Sequence, residues 1–176
     1  MKFPGARLMV RGVLALIAAA VVAVMTVGCS TIETASKSDT AKAEVGDCIS
    51  VIESSAVDSA TEPVDCSSDT AVYQVAQAYN EKTECAADHT SYEETLGGGT
   101  TAFLCLVPNF KEGSCYSENS VTGYKYVDCG SSEVSFRVLK RIDGEADELL
   151  CGMESTSFRL IESDPKITFC TTELKS

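Results

Sequence analysis

The chain has 176 residues, of which 14 are Lys or Arg, 26 are Asp or Glu, nine are Cys and one is His. Its net charge of −12 at pH 7 argues against nucleic-acid binding, because proteins bind phosphates mainly through a surplus of Lys and Arg. Nine cysteines in one or two small domains are unusual for a reducing cytosol. The composition therefore predicts an exported protein whose cysteines are oxidised.

Residues 1–28 are predicted to be a lipoprotein signal peptide. Three basic residues precede an uncharged apolar run over 12–27, which is the arrangement of an export signal: Lys2, Arg7 and Arg11. The run closes with Thr26-Val-Gly-Cys29, which resembles a lipoprotein box, where small residues precede a Cys that is diacylated and becomes the new N-terminus. We therefore expect a lipid on Cys29 and attachment to the outer, extracytoplasmic face of the cell membrane.

The alternative for this leader is an uncleaved signal anchor or ordinary secretion. Residues 12–32 carry no charge, and such a stretch is long enough to cross a bilayer once. A Cys directly after a short apolar run is better explained by processing than by a membrane span.

Residues 29–44 are predicted to be the lipidated N-terminus and a flexible tether, since they contain no aromatic residue and no sustained apolar period. Removal of the signal peptide takes away three basic residues and leaves 11 basic against 26 acidic residues, a net charge of −15. Such a charge opposes contact with an anionic membrane surface. We expect the lipid to hold a domain that stands off the bilayer.

Eight further cysteines divide the remaining chain into two similar halves. They are Cys48, Cys66, Cys85 and Cys105, followed by Cys115, Cys129, Cys151 and Cys170. Matching cysteines lie 63 to 67 residues apart, and motifs beside them also recur, such as Gly46-Asp-Cys48 and Gly113-Ser-Cys115. The spacing predicts an internal duplication, with a first four-Cys module over 45–110 and a second over 111–176.

Each module is predicted to be a β-β-α-β unit, so the expected fold class is α+β. Alternating apolar residues after the second cysteine indicate a strand with one buried face: Ala71, Tyr73 and Val75, and Val134, Phe136 and Val138. The third cysteine is followed seven residues later by Tyr92 or Phe158. Seven residues make two helical turns, which predicts a helix over about 85–96, ended by the three glycines at 97–99. An apolar strand then closes each module, over 101–105 and 166–170.

Disulfides are expected within each module, because about 65 residues without Trp bury too little apolar surface for comfortable stability. A hairpin would bring the first two cysteines together, and a helix with its returning strand would do the same for the last two. The predicted bonds are Cys48–Cys66, Cys85–Cys105, Cys115–Cys129 and Cys151–Cys170. Each would stabilise the fold by about 3 kcal/mol. Free thiols or a metal site are the alternative, although no Cys-x-x-Cys pair is present.

The leader, the cysteine framework and the segments 64–75 and 103–106 together resemble the actinobacterial LppU-type lipoproteins, which are cell-envelope proteins of unestablished activity. The resemblance covers roughly residues 45–172. It implies location and architecture and brings no catalytic residue. The Gly-Asp-Cys and Val-Asp-Cys motifs are also similar to septum-formation-type domains of actinobacterial membrane proteins, over one module.

Few residues are suited to catalysis. His89 is the only histidine, so a Ser/His/Asp triad would have to use it. Glu93 and Glu94 could act with Asp88 as the carboxylates of a glycosidase, but we interpret them as solvated side chains on the predicted helix. We therefore expect no catalytic residue, no enzymatic activity and no cofactor. An envelope hydrolase that uses this region is the alternative.

The remaining candidates concern metal and ligand binding. Residues 143–154 partly match a calcium loop, but Glu148 stands where the turn glycine belongs, so we interpret the segment as an acidic turn and expect no metal. Tyr124 and Tyr126 share one strand face beside Lys125. They either pack in the core, which the pattern favours, or form a binding patch.

The sequence as a whole predicts a non-enzymatic interaction or binding module, held at the membrane by its N-terminal lipid. The expected partners are envelope proteins or a small ligand, without nucleic acid. A small-ligand carrier with a pocket between the modules is a further alternative.

Overall fold

Two antiparallel sheets of five strands each form the described part of the chain. A computed structural model describes residues 37–54, 59–120 and 123–174. The strands of the first sheet are β1 (Cys48–Ser54), β2 (Ser59–Val64), β3 (Tyr73–Tyr79), β4 (Thr90–Leu96) and β5 (Gly99–Pro108). Those of the second sheet are β6 (Cys115–Asn119), β7 (Gly123–Val127), β8 (Phe136–Asp143), β9 (Ser157–Ile161) and β10 (Ile167–Glu173).

The two sheets have the same topology. The strand order is β2-β1-β3-β5-β4 in the first and β7-β6-β8-β10-β9 in the second. Equivalent backbone hydrogen bonds also recur, since the Gly46 amide donates to the Val75 carbonyl and the Gly113 amide to the Val138 carbonyl, at 2.9 and 2.8 Å. The recurring Gly-x-Cys motif thus starts the first strand of each sheet in the same way.

The α+β prediction is wrong, because the segment predicted to be helical is half of a β-hairpin. Within the described ranges the only helices are two 3-10 turns, Thr40–Lys42 and Glu148–Cys151. Gly97 and Gly98, interpreted above as a helix end, have φ angles of 61° and 87° and make the two-residue turn between β4 and β5. Such a turn requires positive φ at both central residues and matches the twist of paired strands. Thr and Tyr in β4 also favour a strand.

Tyr92 and Phe158 are not equivalent in the structure, although each follows its cysteine by seven residues. Ser91 pairs with Cys105 in the first sheet, and Phe158 pairs with the matching Cys170 in the second. Ser91 is therefore the counterpart of Phe158, and Tyr92 is displaced by one residue. Because a shift of one residue moves a side chain to the other face of a sheet, the two aromatic rings face opposite sides.

Four disulfide bonds are present, which confirms the prediction of disulfide bonding. They join Cys48 to Cys66, Cys85 to Cys105, Cys115 to Cys129 and Cys151 to Cys170, the same pairs as those derived from the sequence. Hairpins β1–β2 and β6–β7 bring the first pair of each half together, as expected. The second pair joins the segment before the fourth strand to the fifth strand, without the helix on which the prediction was based.

Both sheets contribute to one hydrophobic core, and residues 37–176 form one compact unit. Phe110, in the connector between β5 and β6, is fully buried at its centre. Four rings of the second half surround it, with centroid distances of 4.5 Å to Tyr116, 4.8 Å to Tyr124, 5.0 Å to Phe169 and 5.3 Å to Phe136. Ile49 and Leu106 of the first sheet belong to the same cluster.

The connector is also held by hydrogen bonds to both halves. Asn109 is buried, and its side-chain amide donates to the Ala71 carbonyl at 2.9 Å. Arg141 of β8 donates to the Asn109 side-chain oxygen at 2.8 Å and to the Phe110 carbonyl at 3.3 Å. The buried polar groups of Asn109 are therefore satisfied from both sides, as buried groups generally must be.

Replacement of Phe110 by Ala should lower the free energy of unfolding by about 3 to 5 kcal/mol, because it leaves a cavity at the centre of the shared core. Phe158→Ala is the matched control, since this ring is 45% exposed, and should cost less than about 1 kcal/mol. Guanidinium unfolding followed by circular dichroism measures both. Equal losses for the two variants would contradict the central role of Phe110.

Candidate functional site

An uncharged cleft of about 330 Å3 lies against the first sheet. Apolar side chains, hydroxyl groups and aromatic rings line it together; the residues are Ile49, Val51, Thr61, Tyr73, Thr90, Ser91, Tyr92, Leu106, Ser120 and Gly123. Ser120 and Gly123 come from the second half, so both halves contribute. None of these lining residues carries a charge, although the protein is strongly acidic.

Tyr73 supplies a buried hydrogen-bond donor to this cleft. The residue is 4% exposed, and its hydroxyl oxygen accepts the Tyr124 backbone amide at 2.9 Å. Burial raises the pKa of Tyr73 to about 12, so the hydroxyl stays protonated at neutral pH. Within the described ranges this proton has no hydrogen-bond acceptor. A ligand carbonyl or hydroxyl would satisfy it.

Gly123 allows the second half to approach the cleft. Its φ angle is +74°, and a Cβ atom built on it would lie 2.5 Å from the Tyr73 hydroxyl oxygen. Any other residue would displace the hydroxyl or the hairpin β6–β7, because that distance is well inside van der Waals contact. The position of Tyr73 thus depends on a glycine 50 residues further along the chain.

Tyr124 and Tyr126, the predicted candidate binding residues, lie on β7 and pack partly buried against the shared core. The Tyr124 ring makes edge contacts with Phe110 and Phe136, and the Tyr126 ring lies 6.1 Å from the Tyr116 ring. Neither lines the cleft. Tyr124 instead reaches it through its backbone amide, which holds the Tyr73 hydroxyl.

Asp88 joins the two halves. One of its carboxylate oxygens accepts the backbone amides of Glu162 and Ser163, just after β9, at 2.7 and 2.9 Å. Burial raises the pKa of Asp88, but the hydrogen bonds from Ser163 and Glu162 outweigh it, so the pKa lies below its usual value. The other carboxylate oxygen is buried and has no hydrogen-bond partner among the described residues.

His89 is buried beside Asp88 and is not arranged for catalysis. Its side chain is 1% exposed, and neither ring nitrogen has a hydrogen-bond partner among the described residues. The nearest charged atom, an Asp88 oxygen, is 3.8 Å from Nε2. A triad needs a hydroxyl within hydrogen-bond reach of the imidazole, and the structure shows none there.

Glu93 and Glu94 are neighbours on β4, so their side chains point to opposite faces of the sheet. Glu93 accepts from Lys82 and Thr100, both at 2.7 Å, and these hydrogen bonds hold the pKa of Glu93 below its usual value. Burial raises the pKa of Glu94, but its hydrogen bonds, chiefly those from Ser38, outweigh this effect. The pKa of Glu94 therefore lies below its usual value. A general acid of a glycosidase needs a raised pKa, and neither carboxyl group has one.

Two carboxylates of the acidic segment at 143–154 make contacts within the protein. Asp143 pairs with Arg141 at 2.8 Å, and Asp147 accepts the Leu149 amide at the start of the 3-10 helix. The described residues contain no group of three or more His, Cys, Asp or Glu side chains placed to hold a metal ion.

Cys29, the predicted lipidation site, and the signal peptide lie outside the described residues. In the described ranges, no helix has the length and apolar character needed to cross a membrane. No protein family, no curated protein and no solved structure matches this chain.

Sequence reasoning missed the cleft and the role of Tyr73. The alternation around Tyr73 marked it as a core residue, which it also is. The only signal for a special role was the difference between the halves, since Phe136 occupies the matching position and lacks the hydroxyl.

Asp88→Ala should lower the free energy of unfolding by about 1 to 2 kcal/mol at pH 7, because two hydrogen bonds to a charged group between the halves are lost. The folded-state pKa of Asp88 is depressed, so its stabilising effect is present above the unfolded value of 3.8 and disappears as the pH falls through the folded value. Urea unfolding at pH 7 and pH 3 measures the difference. Glu133 is exposed, so Glu133→Ala is the control and should have little effect on stability. If the difference in unfolding free energy between the wild type and Asp88→Ala grew as the pH fell, the ionised Asp88 carboxylate would not be the stabilising group.

Proposed function

We propose that this chain is a lipid-anchored, extracytoplasmic binding protein that holds a small uncharged ligand in the cleft of its first sheet. One observation carries the proposal: the described lining of the cleft is uncharged in an acidic protein, and the proton of the buried Tyr73 hydroxyl there has no acceptor among the described residues. Ligand sites typically combine an apolar lining with a few placed polar groups. At about 330 Å3, this cleft lies at the small end of such sites.

The ligand is defined by the groups that face it. Val51 is partly exposed and offers apolar surface, with Ile49 and Leu106 buried behind it, and the partly buried Tyr92 ring offers a face for stacking. Hydroxyl groups of Thr61, Ser91 and others can donate or accept. A charged ligand would lose its hydration without gaining a counter-charge, so an uncharged molecule with a hydrogen-bond acceptor fits best.

The same features favour binding over hydrolysis. No carboxylate, imidazole or thiol lines the cleft, so acid–base and nucleophilic groups are missing from its described lining. The hydrolase alternative rests on Asp88, His89, Glu93 and Glu94, whose geometry is unsuited to it for the reasons given above.

Export and lipid anchoring are supported by different observations. Four disulfides are typical of an oxidising compartment outside the cytoplasm. The sequence around Cys29, which resembles a lipoprotein box, supports retention at the outer face of the membrane through a lipid. Kinship with the LppU-type lipoproteins is part of the same proposal and rests on the sequence motifs.

Tyr73→Phe should weaken ligand binding about five- to tenfold, because one neutral hydrogen bond of about 1 kcal/mol is lost. The measurement is a screen of uncharged and charged fragments of matched size, followed by amide chemical shifts of Thr90, Ser91 and Gly123. Tyr79→Phe is the matched control, since Tyr79 ends the same strand and is exposed. Preferential binding of charged fragments, or equal effects of the two variants, would refute the cleft proposal.

The anchor is tested separately by intact mass of the membrane-extracted protein. We expect residues 29–176 with two or three acyl chains, and eight alkylated cysteines only after reduction. Cys29→Ser should abolish lipidation and leave the chain unprocessed. An unprocessed wild-type mass would show instead that the leader is a signal anchor.

A further inference from the structure

The chain segment that precedes the first sheet packs onto that sheet. Residues 38–43, which we call the strap, contain the 3-10 turn Thr40–Lys42 and lie in the region expected above to be a flexible tether. Three of its side chains are buried, namely Thr40, Ala41 and Ala43, with exposed fractions of 1%, 8% and 8%. The turn contacts β2 and β5. The end of the expected tether is thus a docked part of the fold.

Hydrogen bonds tie the strap to both outer strands of the first sheet, which are β2 and β4. The Thr40 hydroxyl donates to the Thr61 carbonyl on β2 at 3.1 Å and accepts from the Thr61 hydroxyl at 3.0 Å. At the other end, the Ser38 amide donates to the two carboxylate oxygens of Glu94 on β4, at 3.1 and 3.3 Å. The strap therefore spans the sheet from one edge to the other.

The residues that hold the strap also hold the walls of the cleft. Thr61 lines the cleft and bonds to the strap directly. Tyr92 lines it as well, and its hydroxyl donates at 3.4 Å to Glu94, the carboxylate that accepts the Ser38 amide. Because a hydrogen-bond partner restricts the position of a side chain, the docked strap keeps Thr61 and Tyr92 in place on opposite edges of the sheet.

Docking of the strap is weak enough to be reversible. Its buried side chains are small, and Val45, which follows it, is 65% exposed. Neutral hydrogen bonds add little net stability, because water replaces the lost partner when they break. A segment with few buried apolar contacts opens locally while the rest of a fold stays intact. The strap can therefore leave the sheet without unfolding it.

We infer that the strap couples the cleft to the N-terminal tether, so that a ligand in the cleft stabilises the docked strap and release of the strap weakens ligand binding. This inference rests on the proposed function, because it concerns occupancy of the same cleft. Coupling between two binding equilibria is reciprocal, so each event must favour the other by the same factor.

The coupling would change the length of the anchor. Cys29, the proposed lipid site, lies nine residues before Ser38. Gly46 stays bonded to the Val75 carbonyl of β3 when the strap is released. The first fixed residue then moves from Ser38 to Gly46, which adds up to roughly 26 Å of extended chain. An occupied cleft would thus be held on a shorter tether than an empty one.

The test uses the full chain in zwitterionic detergent micelles, with cyclohexanone as the probe. This molecule is uncharged and has one carbonyl acceptor, and the cyclohexylammonium ion is its charged control. Cyclohexanone should shift the amide resonances of Thr90 and Ser91 in the wild type. At saturation it should slow hydrogen exchange of the Ser38 and Ala43 amides at least about fivefold, because both are bonded in the docked strap. Cyclohexylammonium should do neither.

Thr40→Val removes both hydrogen bonds to Thr61 and nearly preserves the buried volume. It should raise the dissociation constant of cyclohexanone at least about fivefold and speed exchange at Ser38. Thr168→Val is the matched control, since Thr168 is also buried and its hydroxyl bonds to Glu145 and Asp147 in the second half. Its affinity for the probe should equal that of the wild type.

Glu94→Gln is an independent variant that weakens the other end of the strap, and it should also lower the affinity for cyclohexanone. Glu93→Gln, on the opposite face of β4, should not.

The possible failures are distinguishable. If cyclohexanone binds the cleft but neither slows exchange in the strap nor loses affinity in Thr40→Val and Glu94→Gln, the inference fails and the proposed function stands. If the wild type shows no shifts at Thr90 and Ser91, the proposed function fails and the coupling fails with it. Equal losses of affinity in Thr40→Val and Thr168→Val would indicate general destabilisation and would also overturn the inference.

Discussion

The fold depends on the packing of Phe110 between the two halves. Neither half has a Trp, and each has few large side chains, so each sheet alone would leave its inner face without sufficient cover. The connector places one phenyl ring among four others from the second half, and Asn109 fixes that connector to the first. Everything at the junction, including the cleft and the Asp88 contact, requires this mutual orientation.

Local features of this fold could be predicted from the sequence, whereas contacts between distant residues could not. Cysteine spacing and alternation around Tyr73 and Phe136 identify the hairpins, the buried strands and the disulfide partners. The helix prediction failed because one pair of residues seven positions apart is compatible with two helical turns but does not establish them, and the Gly-Gly turn of a β-hairpin was interpreted as a helix end. The cleft depends on Tyr73 and Gly123, which lie 50 residues apart, and nothing in the local sequence connects them.

The two halves share one backbone topology but present different side chains at matching positions. The backbone framework is shared, as the matching bonds from Gly46 and Gly113 show. The side chains that this framework presents have diverged. Tyr73 has a hydroxyl where Phe136 has none, and Phe158 has a ring where Ser91 has a small polar group. The shared topology therefore fixes where these side chains lie but not their chemistry.

Each disulfide joins two cysteines that follow one another along the chain: the first of the eight bonds the second, the third bonds the fourth, and so on. The bonded cysteines are 14 to 20 residues apart. As the polypeptide emerges from its N-terminal end, every cysteine that needs a partner meets the correct one before any later cysteine appears. Sequential pairing of neighbouring cysteines along the chain is therefore sufficient to reach the native connectivity. The two disulfides of the first sheet can form before the second sheet is in place, so the first half is already cross-linked when Phe110 and the second half pack against it.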